Sequence, residues 1–247
     1  MPFSKGRMIY TEEFEVRWHD TDAGREMKPS EALAYMQETA NHQFRTHACT
    51  LDEMRDRDGV GFILSRIAID FLSPVHAYEQ IAVDTATCAG HGLCFPRRFE
   101  IRRDGEVVAR AMSQWALVRV ADRTLMRAAE APLSFGDEPE IMVSTPLRFT
   151  IPRDLDFEVV GERRIAYADL DYNMHMNNTK YPNMLCDFLP DANAIRVTGL
   201  SLSYRKEAAF GDVLAVDRAT DGNGTWYFRT RKGDEVCLEA MLRVENR

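Results

Sequence analysis

The chain has 247 residues, of which 45% are hydrophobic and 28% are charged, and its formal net charge is −8. That length suits one large domain or two ordinary ones, and the composition is typical of globular proteins. An acidic chain without a large basic cluster argues against nucleic-acid binding. No apolar run reaches the roughly 18 residues that indicate a membrane-spanning helix. The N-terminus lacks an apolar signal region, so a cytoplasmic location is expected.

The cysteines and histidines give no sign of a metal site or of a disulfide framework. The five cysteines are scattered and include no C-x-x-C pair or Cys/His cluster, so free thiols in a reducing compartment are expected. The histidines outside the second polar loop, described below, show no ligand spacing. We therefore expect neither a metal nor another cofactor.

The first half of the chain predicts a strand, a long helix and four more strands. Apolar and charged residues alternate over 10–18, which is typical of a half-buried strand, and a polar loop follows. Apolar residues at helical spacing predict a helix over 30–46, and a short second helix is expected at 51–57. The four strands are predicted at 62–71, 80–88, 95–102 and 107–120, with Asp104-Gly105 as the hairpin turn between the last two.

The second half repeats this order after an irregular segment. Residues 121–155 contain scattered prolines and few regular runs, which predicts a linker. A strand (157–166), a second polar loop (168–177) and a helix (178–188) follow. Further strands are predicted at 195–205, 213–220, 225–231 and 236–244. The predicted organisation is an N-terminal unit at 1–120, a linker at 121–155 and a C-terminal unit at 156–247.

The repeated order indicates an internal duplication. When Asp22 is set against Asp171, Gly24 falls at Asn173 and Glu26 at His175. A helix followed by an antiparallel sheet that wraps it is a hotdog arrangement, so two copies predict an α+β double hotdog. Only the second polar loop has the Asn and the His, so it is the candidate for chemistry.

Asp171, Asn173 and His175 occupy alternate positions. In an extended chain this spacing would place all three side chains on one side. An imidazole can act as acid or base, a carboxylate can orient it, and a carboxamide can donate to developing negative charge. The alternative is that these residues only form a turn and cap the following helix.

Four motifs in order resemble the acyl-acyl carrier protein thioesterase family, and the resemblance extends from about residue 10 to residue 244. The second polar loop matches the family's catalytic loop, and three other segments match its helix and strand motifs: Gln37-Glu38-Thr39-Ala40, Arg110-Ala111-Met112-Ser113-Gln114-Trp115 and Ser203-Tyr204-Arg205-Lys206-Glu207. The resemblance implies a double hotdog that hydrolyses fatty acyl thioesters on acyl carrier protein.

The resemblance also implies the functional residues Asp171, Asn173, His175 and Glu207. His175 and Glu207 would form the base pair, while Asn173 and backbone N–H groups at the start of the 178–188 helix would polarise the carbonyl. Asp171 would either orient its neighbours or attack to form an anhydride. Glu207 could instead be an ion-paired surface residue. Plant members often have cysteine after that glutamate, but this chain has Ala208, which excludes a cysteine nucleophile there.

The substrate is expected to use two further surfaces. The acyl chain needs an apolar tunnel, and its candidate walls lie in the first unit, although the same residues could simply be core: Met27, Leu33, Met36 and Phe62. Acyl carrier protein is acidic, so a basic docking patch is expected from Arg163, Arg164, Lys180, Arg205 and Lys206. Alternatively, such basic pairs form a solvated face.

Two other functions stay open from the sequence. One is an acyl-CoA thioesterase, which would use the same chemistry with a different carrier. The other is a non-catalytic acyl-binding hotdog. A double unit could act as a monomer, and a homodimer is the other expected state.

Overall fold

Eleven strands form one antiparallel sheet in the computed structural model, which describes residues 9–47, 49–131 and 136–247. Most predicted strands are confirmed to within a few residues, because alternating burial is a local signal. The strands are β1 (Tyr10–Glu15), β2 (Val60–Phe71), β3 (Gln80–Thr87), β4 (Phe95–Arg103), β5 (Glu106–Arg119), β6 (Leu125–Met126), β7 (Glu158–Arg164), β8 (Ile195–Tyr204), β9 (Val213–Thr220), β10 (Thr225–Lys232) and β11 (Glu235–Asn246).

The two halves of the chain join through the sheet. The strand order is β1-β3-β4-β5-β2-β8-β11-β10-β9-β7, and β6 pairs with β5. Within the sheet, the halves meet through the antiparallel pairing of β2 with β8, which runs from Arg66 opposite Ser203 to Asp70 opposite Gly199. The sheet is therefore continuous across the junction.

Three α-helices accompany the sheet in the described residues: α1 (Pro29–His47), α2 (Leu51–Asp58) and α3 (Tyr181–Cys186). Leu33 and Met36 of α1 are completely buried in a core that contains residues from both halves. The hydroxyl of Ser30, at the start of α1, accepts a hydrogen bond from the backbone N–H of Asn183 in α3 at 2.9 Å. None of these helices is both long and apolar enough to cross a bilayer.

Two predicted elements differ from the structure. The helix expected at 178–188 is a 3-10 turn followed by the short α3. It ends in tight turns at Phe188 and Leu189, where Pro190 disfavours further helix. Trp18 was expected in the first strand, but β1 ends at Glu15 and the Trp18 side chain is 64% exposed.

The segment predicted as a linker contains one short strand and one anchored turn. Residues 125–126 form β6 on the edge of β5, so the chain does not leave the sheet at 121. Farther on, Ser144 and Thr145 bind Asp70 of β2. Pro132, one of the prolines behind the prediction, lies outside the described residues.

Asp70 is the centre of a hydrogen-bonded cluster that we call the Asp70 clamp: Asp70, Ser144, Thr145 and Arg243. Asp70 and Thr145 are buried, Arg243 is partly exposed and Ser144 is exposed. The Asp70 carboxylate accepts hydrogen bonds from the backbone N–H groups and hydroxyls of Ser144 and Thr145, at 2.6 to 2.9 Å, and from Arg243 at 2.9 Å. Burial alone raises the pKa of Asp70, but the hydrogen bonds outweigh it and hold the pKa below its usual value. The clamp ties the segment between the halves to strands of both.

All five cysteines are free thiols, as predicted.

Candidate active site

The second polar loop is a tight turn rather than an extended segment. The backbone N–H of Asp171 donates to the carbonyl of His175 at 3.0 Å, and that of Met174 donates to the carbonyl of Asp171 at 3.0 Å. Met174 has a φ of +66°, which closes the turn. The carboxylate of Asp171 accepts the N–H of Asn173 at 2.9 Å. The prediction that alternate residues project together from an extended chain is therefore wrong.

Two anchors hold this turn in place. The buried carboxylate of Asp169 accepts hydrogen bonds from the N–H of Ala166 at 2.8 Å and from Arg163 at 2.6 Å. On the other side, the N–H of Met176 donates to the carbonyl of Ala208 at 2.8 Å. The turn is thus fixed against the segment that directly follows Glu207.

The first polar loop has the same backbone pattern with different side chains. The N–H of Asp22 donates to the carbonyl of Glu26 at 2.9 Å, and Arg25 has a φ of +65°. Here, however, the acidic side chains form ion pairs: Asp22 contacts Arg247, and Glu26 lies 3.6 Å from both Arg196 and Arg247. At the positions matching Gly24 and Glu26, the second half has Asn173 and His175, so the same backbone design holds an ion-pair network in the first half and different polar side chains in the second.

His175 and Glu207 meet at the second loop. His175 Nε2 lies 3.3 Å from Glu207 Oε2, and both side chains are partly exposed. Arg123, in the turn after β5, donates to the same glutamate oxygen at 3.0 Å. Glu207 can therefore hold the imidazole while Arg123 stabilises its negative charge. The neighbouring basic residues do not pair with it, since Arg205 binds Glu239 and Lys206 binds Glu235.

Asn173 is oriented by a residue from the other half of the chain. Arg55 of α2 donates from Nη2 to Asn173 Oδ1 at 2.8 Å, and its guanidinium lies 5.1 Å from the ring centre of Tyr172. Because a guanidinium can only donate, Asn173 presents its oxygen to Arg55 and leaves Nδ2 to donate elsewhere. Sequence reasoning missed Arg55 and Arg123, since neither stands near the loop in the sequence.

Two backbone N–H groups at the start of the helix after the loop already have hydrogen-bond partners. The N–H of Thr179 donates to the Asn177 side chain at 2.9 Å, and the N–H of Lys180 donates to the Asn177 carbonyl at 2.9 Å. Asn177 is therefore the cap of this turn. The prediction that N–H groups at this helix start would polarise the substrate is wrong for these two groups.

The predicted tunnel residues occupy three different places. Phe62 lines a mainly apolar pocket of about 70 Å³ between α1, α2 and the sheet. Met27 lines a larger cleft of about 480 Å³ beside the first polar loop. Leu33 and Met36 are in the core and have no exposed surface. Only Phe62 belongs to the pocket next to α2, the helix that reaches Asn173.

The predicted docking residues also differ in their surroundings. Three of them are ion-paired, since Arg163 binds Asp169 while Arg205 and Lys206 bind glutamates. Arg164 donates to the carbonyl of Gly211 at 3.3 Å, and Lys180 is exposed. The loop itself exposes two large side chains, and a third is exposed just after Ala209, which pairs with His175: Tyr172, Met174 and Phe210.

Solved structures with the same fold share helices packed on an antiparallel sheet in a hotdog-like arrangement. An acyl-ACP thioesterase from Bacteroides thetaiotaomicron superposes with a TM-score of 0.87 at 20% identity, covering 98% of this chain and 100% of that one. The 12:0-ACP thioesterase from Umbellularia californica gives a TM-score of 0.82 at 18% identity, covering 99% and 100%. At these identities the likeness establishes the fold.

Sequence comparison then defines the family. Residues 7–133 match the acyl-ACP thioesterase N-terminal domain, and residues 156–240 match the C-terminal domain. The chain belongs to the acyl-ACP thioesterase family. A chloroplastic acyl-[acyl-carrier-protein] hydrolase of Cuphea viscosissima is 24% identical over 95% of this chain, and oleoyl-acyl carrier protein thioesterase 2 of Arabidopsis thaliana is 25% identical over 68%. This chain spans 64% and 53% of the length of those relatives.

Proposed function

We propose that this protein hydrolyses the thioester between a fatty acyl group and acyl carrier protein, releasing the free fatty acid and the carrier thiol. The observation that carries this proposal is the contact of His175 Nε2 with Glu207 Oε2 at 3.3 Å. His175 is on the same fixed loop as Asn173. An imidazole held by a carboxylate next to a carboxamide donor suits acyl transfer to water. Family membership supports the choice of substrate.

In this proposal the architecture is a double hotdog. The N-terminal unit is residues 1–120, the C-terminal unit is residues 156–247, and residues 121–155 connect them. The shared hydrogen-bond pattern of the two polar loops and the β2–β8 junction support two equivalent units. The site then draws on more than one unit, because Arg55 comes from the first unit and Arg123 from the connecting segment.

The proposed reaction uses water as the nucleophile. His175 takes a proton from water as its oxygen attacks the thioester carbon, and the Asn173 amide donates to the developing oxyanion. The C–S bond then breaks, and the proton passes from His175 to the departing thiolate. Of the two roles considered for Asp171, orientation is the better supported, because its carboxylate already accepts the N–H of Asn173. Buried Ala208 offers no nucleophile.

The test of this function is thiol release from matched acyl groups on acyl carrier protein and on CoA. Rapid release from the carrier substrates is expected. Release only from CoA substrates would support the same hydrolysis reaction but would show that the protein is an acyl-CoA thioesterase. Acyl binding without any release would favour the non-catalytic alternative.

Replacing Arg55 with methionine should lower kcat about tenfold, because Asn173 would lose the charged hydrogen bond that fixes its amide. Steady-state kinetics on an acyl carrier protein thioester measures the effect. Arg57→Met is the matched control, since Arg57 is on the same helix and pairs with neighbouring Asp58. Equal losses in the two variants would contradict the orienting role of Arg55.

Carrier docking should depend on Arg164 and Lys180, which form no ion pair with a carboxylate among the described residues. The double variant Arg164→Ala/Lys180→Ala should lower kcat/KM for acyl carrier protein substrates about threefold to tenfold, because it weakens electrostatic steering. The same assay on a small thioester should change little. The control is Arg25→Ala/Arg45→Ala, which removes the same number of positive charges. Both of these arginines are exposed and lie in the first half of the chain. Equal loss on both substrates would overturn this assignment.

A further inference from the structure

The apolar pocket beside α2 contains an unexpected positive charge. Most of its wall is hydrocarbon, contributed by Ala40, Phe44, Leu51, Phe62, Phe95 and Trp115. Arg97 of β4 also lines this pocket of about 70 Å³, and only 4% of its surface is exposed. We call it the Arg97 pocket.

Arg97 has neutral partners where a buried guanidinium would ordinarily have a carboxylate. Its Nη1 donates to Gln43 Oε1 at 2.5 Å and to Thr85 Oγ1 at 2.9 Å, and its Cζ lies 5.3 Å from the ring centre of Phe44. Among the described residues, no Asp or Glu forms an ion pair with it. Burial lowers the pKa of Arg97 to about 10, so the group still carries its charge at neutral pH. An uncompensated buried charge is costly.

A second hydrogen-bond donor in the same pocket lacks an acceptor. Gln37 of α1 lines the pocket, and its Nε2 is buried with no hydrogen-bond partner in the described part of the chain. A plain hydrocarbon chain would leave this amide unsatisfied and the guanidinium without a counter-charge. An oxygen atom on the ligand could accept from both groups.

The Arg97 pocket adjoins the candidate active site through α2. Leu51 lines the pocket, and Arg55, one turn later on the same helix face, binds Asn173. An acyl chain whose thioester lies at Asn173 and His175 would therefore have an apolar pocket one helical turn of α2 away from the Arg55–Asn173 contact.

We infer that the Arg97 pocket selects acyl chains that carry an oxygen acceptor, a carboxylate or a hydroxyl, at the end remote from the thioester. This inference rests on the proposed thioesterase function and narrows its substrate class. A terminal carboxylate is the better match because it also neutralises the guanidinium. A terminal hydroxyl would satisfy the hydrogen bonds without the charge.

The test compares acyl chains of matched length that end in methyl, hydroxyl or carboxylate. Binding is measured by calorimetry with N-acetylcysteamine conjugates in which an amide N–H replaces the thioester sulfur. These amides are not hydrolysed, and they have no free carboxylate at the head to bind Arg97 in reverse. The parent should bind an oxygen-terminated chain about tenfold or more tighter than the methyl-terminated chain. Hydrolysis of the corresponding thioesters is measured separately.

Variants assign the selectivity to this pocket. Arg97→Met should remove the preference and improve binding of the methyl-terminated chain. Arg98→Met is the matched control, because Arg98 is next to it on β4 and pairs with Glu100, and it should keep the preference. Thermal unfolding shows whether Arg97→Met folds. If it does not, Gln37→Leu is the test variant, because it removes the buried unsatisfied amide. It should reduce the preference for oxygen-terminated chains.

Equal or tighter binding of methyl-terminated chains by the parent, at every length, would overturn the inference. A preference that survives both pocket variants would overturn it as well. If the amides show the preference but no thioester is hydrolysed, the proposed function fails and the recognition of oxygenated chains stands.

Discussion

His175→Ala is expected to lower kcat for thioester hydrolysis by a factor of about 10² to 10⁴, which is the usual contribution of a positioned general base. The imidazole is the general base of the proposed reaction, and Glu207 lies 3.3 Å from its Nε2. Glu207→Gln should cause a smaller loss, because the amide can still contact the imidazole but cannot balance its charge. Thiol release under saturating substrate measures both.

The control for this prediction is His91→Ala, which removes an exposed histidine from the first half. It should leave kcat unchanged. Thermal unfolding should also be similar for the parent and His175→Ala, because the His175 side chain is only partly buried. A fully active His175→Ala enzyme would refute the general-base assignment.

Asp70→Asn is expected to reduce the free energy of unfolding by about 1 to 3 kcal/mol, the usual cost of leaving buried hydrogen-bonding groups unsatisfied. The Asp70 clamp directs only donors at this carboxylate: two backbone N–H groups, two hydroxyls and Arg243. An asparagine would turn an NH₂ group toward some of those donors and would leave Arg243 without its counter-charge. Chemical denaturation measures the loss, and Asp122→Asn, at an exposed turn, is the control.

The same residue predicts a dependence of stability on acid. The folded-state pKa of Asp70 is lower than its unfolded value, near 3.8. Its contribution is therefore fully present above that pH and is lost as the pH falls through the folded-state pKa. The parent should lose more stability than Asp70→Asn when denaturation is repeated below about pH 4. If the free energy of unfolding falls equally for the two proteins below about pH 4, this account is contradicted.

The sequence predicted those features that depend on neighbouring residues. Alternation along β9 and the helical stripe of α1 are local, and the structure confirms both. The conformation of the second loop was harder to predict, because the side chain of Asp171 forms a turn that spacing alone does not distinguish from an extended strand.

Contacts between distant segments explain the rest of the differences. Arg55 and Asn173 are 118 residues apart, and Arg123 and Glu207 are 84 residues apart. Neither pair follows from any local pattern, since both depend on how the halves meet. The Arg97 pocket was likewise hidden, because the sequence of β4 alone does not show that α1 packs over Arg97 and brings Gln43 and Phe44 against it.

The two polar loops have the same backbone hydrogen-bond pattern, but each is a separate stretch of the same chain with its own sequence. In a symmetric dimer of identical chains, every substitution in such a loop would appear twice. Here Glu26 can form ion pairs with Arg196 and Arg247 while His175, at the matching position, faces Glu207. A single polypeptide can thus let one loop evolve toward stability and the other toward reactivity, without either change constraining its counterpart.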